Sequence, residues 1–119
     1  MKFAFLSFES PADIARRTGK DSKAYVDGWM AYGAALQQAG VLVSGAGLEP
    51  ITTATTLRSR DGKRQVQDGP YADTKDQFGG FYIVDVPSLD VALEWASKSP
   101  CLPGGAIEVR TVVPPNFSS

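Results

Sequence analysis

The densest gathering of groups able to do chemistry lies in one polar stretch, Asp68-Gly69-Pro70-Tyr71-Ala72-Asp73-Thr74-Lys75, where two carboxylates, a phenol and an ammonium share a short run. Such groups on a loop can converge at the rim of a cleft, where a carboxylate takes a proton and a phenol or ammonium gives one. Asp68 and Asp73 are therefore the candidate acid–base residues, and Tyr71 and Lys75 candidate ligand contacts. Tyr82, a phenol inside an apolar run, and Arg58, on a basic segment, complete the set. Each has a plainer reading. Asp-Gly-Pro is ordinary turn chemistry, Asp73 and Lys75 can sit in water as a weak ion pair, and a buried tyrosine usually finds a partner in the core.

Composition narrows the rest. There is no His and a single Cys, so an imidazole base, a thiol–imidazole pair and a disulfide within the chain are excluded. Carboxylates alone would favour Mg or Ca, which need several converging oxygens that no motif here supplies, so neither a metal nor an organic cofactor is expected. With 12 basic against 13 acidic residues the net charge of -1 offers no field for nucleic acid or anionic lipid. Arg58, Arg60, Lys63 and Arg64 are interrupted by Asp61 and lack alternating aromatics. The fragment Gly45-Ala46-Gly47 has no helix after it, so a dinucleotide site is rejected. Cys101 reads as a small packing residue. The apolar run at Phe3–Phe8 is too short for a signal core or a membrane span, which predicts a cytoplasmic protein.

Positioning these groups falls to a simple order of elements. Residues 2–8 alternate as a strand with apolar side chains on both faces. Ser10-Pro11 opens a short helix that the basic 16–20 stretch ends. From 21 or 22 to Ala39, the residues Tyr25, Trp29, Tyr32, Leu36 and Ala39 recur at spacings of four and three, which predicts an amphipathic helix and a helix-to-sheet core. Residues 41–44 form a short strand broken by Gly45. Segments 53–58 and 63–67 flank Asp61-Gly62, a tight hairpin turn. Residues 68–80 read as a loop. Residues 80–86 are apolar on both faces and must be central. Ser88 caps a helix with a Leu89, Ala92, Leu93, Ala96 stripe. Residues 106–113 are the last strand, and Pro114 to Ser119 a tail.

One domain is the expectation for a chain of 119 residues that is 43% hydrophobic and 21% charged. The order predicts an α+β fold, a ferredoxin-like βαββαβ sandwich with an inserted β-hairpin. Two helices cover one face of a four-stranded sheet, so the second apolar face calls for another copy of the same sheet and hence a homodimer.

The stretch from Asp68 to Tyr82, with Asp-Gly-Pro, an acid, Lys and then Gly79-Gly80-Phe81-Tyr82, resembles the DGPF family of the YCII-related superfamily. Gly40-Val41-Leu42, Gly47-Leu48 with Pro50, Asp85-Val86-Pro87 and Ala92-Leu93-Glu94-Trp95-Ala96 carry the resemblance over most of residues 1–119. Tyr71 stands where the family has Phe, Asp73 where it has Glu, and the Glu9 to Lys20 loop is less typical. The resemblance implies a dimeric α/β barrel. It also implies, through relatives encoded beside or fused to sigma factors, a regulatory interaction module as one role. Some YCII-like enzymes use a His–Asp pair, which a chain without His cannot form. The leading expectation is a small cytoplasmic homodimer that binds a small polar or aromatic molecule in a cleft lined by the 68–75 loop. The rival is a cofactor-free enzyme, a lyase, isomerase or monooxygenase-like activity, built on carboxylate, Tyr and Lys.

Overall fold

A computed structural model describes residues 1–102 and 104–114. The elements run β1 (Lys2–Glu9), α1 (Pro11–Arg16), α2 (Ser22–Gln38), β2 (Leu42–Gly47), β3 (Thr55–Arg60), β4 (Lys63–Asp68), β5 (Gln77–Asp85), α3 (Leu89–Ala96) and β6 (Ala106–Thr111). Four strands make an antiparallel sheet in the order β2-β5-β1-β6, and β3 with β4 makes a separate two-stranded sheet. The two runs that read as apolar on both faces, β1 and β5, are the two central strands. The βαββαβ order with an inserted hairpin is present. Pro103 and residues 115–119 of the expected tail lie outside the described residues.

Alternation along β1 sorts its residues cleanly. Phe3, Phe5, Ser7 and Glu9 are buried on the helix side, while Ala4, Leu6 and Phe8 are half-covered on the other. Phe3 and Phe5 pack with Val84 and Val86, with Tyr32 and Leu36 of α2, and with Ala92 and Ala96 of α3. Ser88 caps α3 by accepting from the Val91 N–H at 3.2 Å. The open face of the sheet carries Leu6, Phe8, Phe81 and Ile83, with Phe8 and Phe78 in ring contact at 5.7 Å. Cys101 is fully buried, its Sγ 3.4 Å from Ser99 Oγ, in keeping with a packing role.

Several expected boundaries move. The glycines of Gly45-Ala46-Gly47 do not break β2, which runs on through Gly47 because small residues let it pair closely with β5. The first hairpin strand starts at Thr55 rather than 53 and extends to Arg60, while the second starts at Lys63 as expected, since Asp61 (φ 51) and Gly62 (φ 74) complete a two-residue turn with both centres in the left-handed region. Asp68 closes β4 rather than opening a loop, and β5 starts three residues early at Gln77. The last strand stops at Thr111. Ala39 is exposed, and in α3 only Ala92 and Ala96 of the stripe are buried, leaving Leu89 and Leu93 half-exposed.

Candidate functional site

The inward row of β1 ends on a charge. Glu9 is the fourth residue in phase with Phe3, Phe5 and Ser7, and the strand's alternation carries it into the interior, where it is 2% exposed. A carboxylate there needs partners. They come from the next two elements. α1 is a single short helix held by a buried capping box, in which Ser10 Oγ accepts from the Asp13 N–H and the Asp13 carboxylate accepts from Ser10. Its end places Arg17 back over β1. The Arg17 guanidinium donates to both Glu9 oxygens, through Nε at 3.1 Å and through Nη2, and also to the backbone carbonyls of Leu48 and Gly79. From α2, the Tyr25 hydroxyl donates to Glu9 Oε2 at 2.5 Å. The carboxylate is thereby held by one bidentate cation and one phenol.

Two glycines make this arrangement fit. A Cβ on Gly79 would stand within the Glu9 carboxylate, and one on Gly45 would meet the Tyr82 ring at 2.6 Å and the Phe81 carbonyl at 2.8 Å. Gly79 therefore admits the acid against β5, and Gly45 admits the phenol against β2.

Glu9, Arg17 and Tyr25 form the polar end of a cavity of about 620 Å³ between α2 and the β2–β5 side of the sheet. Its other walls are mostly aromatic and apolar, with Ser7, Thr18 and Glu49 as further polar lining residues. Trp29 and Tyr82 lie nearly parallel at 6.3 Å, Tyr25 meets the edge of Trp29 at 6.4 Å, and Val26, Met30 and Leu48 surround the mouth. Burial, with the hydrogen bond to Glu9, pushes the Tyr25 hydroxyl well above its ordinary range, burial does the same to Tyr32, and burial also raises Tyr82. The Glu9 hydrogen bond keeps Arg17 protonated against the cost of its own burial. Tyr25 is thus a neutral phenol at physiological pH that donates to Glu9. The chemistry on offer is a mostly apolar slot whose polar end carries the Tyr25 hydroxyl, the Arg17 guanidinium and the Glu9 carboxylate.

Of the six candidate site residues expected from sequence, Asp68, Asp73, Tyr71, Lys75, Tyr82 and Arg58, only Tyr82 lines this cavity. No residue of 68–75 lines it, so that loop does not form the rim of this cavity in the chain. Asp68, Asp73 and Lys75 are exposed, and among the described residues Asp73 and Lys75 make no ion pair. Tyr71 is 75% exposed and stacks under the Arg58 guanidinium at 4.9 Å, so those two meet each other on the hairpin. The helix face expected to be core divides: Tyr32 and Leu36 pack the core, while Tyr25 and Trp29 turn to the cavity. Glu9 and Arg17 escaped sequence reasoning. The signal was there, an acid in register with three inward residues and an arginine just past a short capped helix.

A four-stranded antiparallel sheet with helices on one face and an aromatic cavity beneath the longest helix defines an α+β small-molecule-sized pocket protein. The YCII-related domain model matches residues 1–116, and the chain belongs to that family. It is 51% identical over 59 residues to an uncharacterised protein of Rhizobium meliloti (strain 1021), a match covering 50% of this chain and 48% of that one, so the match spans about half the length of the relative. Among solved structures the fold is similar to the 5-chloro-2-hydroxyhydroquinone dehydrochlorinase TftG from Burkholderia phenoliruptrix AC1100, solved with 2,5-dihydroxybenzoquinone. The TM-score is 0.55 at 19% identity, covering 95% of this chain and 94% of that one. No helix among the described residues is long and apolar enough to cross a membrane.

Proposed function

We propose that this protein is a cytoplasmic homodimer that binds a small planar aromatic molecule in the cavity between α2 and the β2–β5 side of its sheet. One observation carries the reading: the Glu9–Arg17–Tyr25 group, buried at Glu9 and Tyr25, closes the end of a mostly aromatic and apolar slot. Apolar walls with a few convergent polar groups are the usual form of a small-molecule site. In this reading the ring lies against Trp29 and Tyr82, and a polar substituent meets the Tyr25 hydroxyl. The likeness to an enzyme solved with a hydroxylated quinone supports the choice of probe. The apolar open face of the sheet, with α2 and α3 on the other side, supports the dimer. Asp68, Tyr71, Asp73, Lys75 and Arg58 then serve the surface of the assembly.

The test is a titration with 2,5-dihydroxybenzoquinone and with hydroquinone, read by melting temperature and by tryptophan fluorescence. Binding to the folded state raises stability. Tyr25→Phe and Trp29→Phe should each weaken the response while the far-ultraviolet spectrum stays unchanged. Absence of any response across a panel of planar aromatics at millimolar concentration, or binding indifferent to both substitutions, would overturn the reading. A cofactor-free acid–base enzyme is the second reading, favoured by the carboxylate–phenol contact at the cavity's end. It requires consumption of a bound aromatic that Glu9→Gln abolishes.

A further inference from the structure

The β3–β4 hairpin stands apart from the body of the molecule. The protein measures 47 × 46 × 18 Å with a radius of gyration of 16.1 Å, against about 13–14 Å for a compact chain of this length. β3 and β4 make their main contacts with each other, and an isolated two-stranded hairpin is marginal in water. Its two faces differ. Residues paired across an antiparallel ladder share a face, so Thr56, Arg58 and Arg60 lie on one side with Gln67, Gln65 and Lys63. That side is partly covered by the chain that follows: Thr56 Oγ1 donates to the Gly69 carbonyl at 2.7 Å, and Tyr71 stacks on Arg58. The other side holds Thr55 with Asp68, Leu57 with Val66 and Ser59 with Arg64, and all six are exposed. Leu57 is 62% exposed and Val66, directly opposite it, 58%.

The bare side is self-complementary. Along β4 it reads Arg64, Val66, Asp68, a cation and an anion on either side of an apolar pair, and neither charge is in an ion pair among the described residues. A two-fold axis through the Leu57–Val66 pair sets Arg64 of one protomer against the partner's Asp68 and, by the same rotation, the converse. This is the condition of an isologous contact. We infer that the hairpin is a dimer arm: its Thr55/Leu57/Ser59–Arg64/Val66/Asp68 face packs on the same face of a second copy, with Leu57 and Val66 at the centre and two Arg64–Asp68 pairs flanking them. Six side chains a side fall well short of the roughly 20–30 of a stable interface, so the arms tighten a dimer held mainly by the sheet faces. The inference rests on that dimer.

The experiment measures the dimer dissociation constant of the full chain by sedimentation at low salt. Arg64→Asp places like charges at both flanks, and so does Asp68→Arg; each should weaken the dimer roughly tenfold. Combining the two substitutions in one chain restores opposite charges and should return affinity to within roughly threefold of wild type. A mixture of the two single variants should form the mixed dimer in preference to either homodimer, and Leu57→Asp should weaken the dimer with no rescue. Single variants that dimerise like wild type, or a double variant as weak as the two losses combined, would overturn the arm contact and leave the sheet-face dimer standing. A monomeric wild type would remove both. Binding of an aromatic probe is read alongside, and its loss without change in assembly concerns the cavity alone.

Discussion

Replacing Arg17 with Met keeps most of the apolar stem and deletes the cation that faces Glu9. The Glu9 side chain is 3% exposed and that of Arg17 21%, so the carboxylate cannot recover its lost partner from water without moving. Removing one member of a buried pair costs about 3–5 kcal/mol. Tyr25 still donates to Oε2 and Arg17 is partly wet, which places the expectation at the lower end, about 3 kcal/mol. For a domain of this size that corresponds to a fall of about 10–15 °C in melting temperature. Urea unfolding followed by circular dichroism at neutral pH, at fixed protein concentration because assembly shifts apparent stability, supplies the number. Adding Glu9→Gln to Arg17→Met removes the stranded charge and should recover about 1 kcal/mol or more, a coupling typical of neighbours in one network. A loss below about 1 kcal/mol for Arg17→Met, or a double variant no better than the sum of the singles, would refute the claim that this pair organises the cavity's end.

Three further outcomes follow from the same geometry. Gly79→Ala puts a methyl where the Glu9 carboxylate sits, so it should cost more than about 2 kcal/mol and weaken binding of an aromatic probe, both read on one urea and fluorescence series. Ser10→Ala breaks a buried capping box and should lower stability by about 0.5–2 kcal/mol while leaving probe affinity within twofold, roughly, since neither Ser10 nor Asp13 lines the cavity. Tyr25, Tyr32 and Tyr82 are all raised above the ordinary phenol value, chiefly by burial, whereas the unfolded chain ionises near it. The stability they contribute is therefore present below about pH 10 and lost as pH rises towards their folded-state values, so the urea midpoint should hold to about pH 9 and fall above about pH 10.

Fold was more legible in the chain than site, and particular residues show why. The apolar two-sided runs of β1 and β5 could lie nowhere but at the centre of a sheet, and Asp61-Gly62 could hardly make anything but a tight turn. These are local signals, periodicity and backbone preference, and they survive folding. Boundaries were lost where a glycine had two meanings. Gly45 looks like a strand breaker in one dimension and proves to be the place where β2 makes room for the Tyr82 ring.

The site depends on something a one-dimensional reading weighs poorly, the register of a single polar residue in an apolar row. A gathering of Asp, Tyr and Lys on a loop advertises chemistry by composition, but composition does not say which way a loop faces, and Asp68, Tyr71, Asp73 and Lys75 are exposed, away from the cavity. Glu9 is one acid in a run of aromatics, unremarkable by type and decisive by phase: two residues beyond Ser7, it must point inward. Once it does, the cation, the phenol and the missing side chain at Gly79 are each demanded by the cost of burying a charge without partners. An acid in the inward phase of a central strand, followed within one short helix by an arginine and set against a glycine of the neighbouring strand, is therefore a better guide to the buried polar site here than the density of reactive residues along the chain.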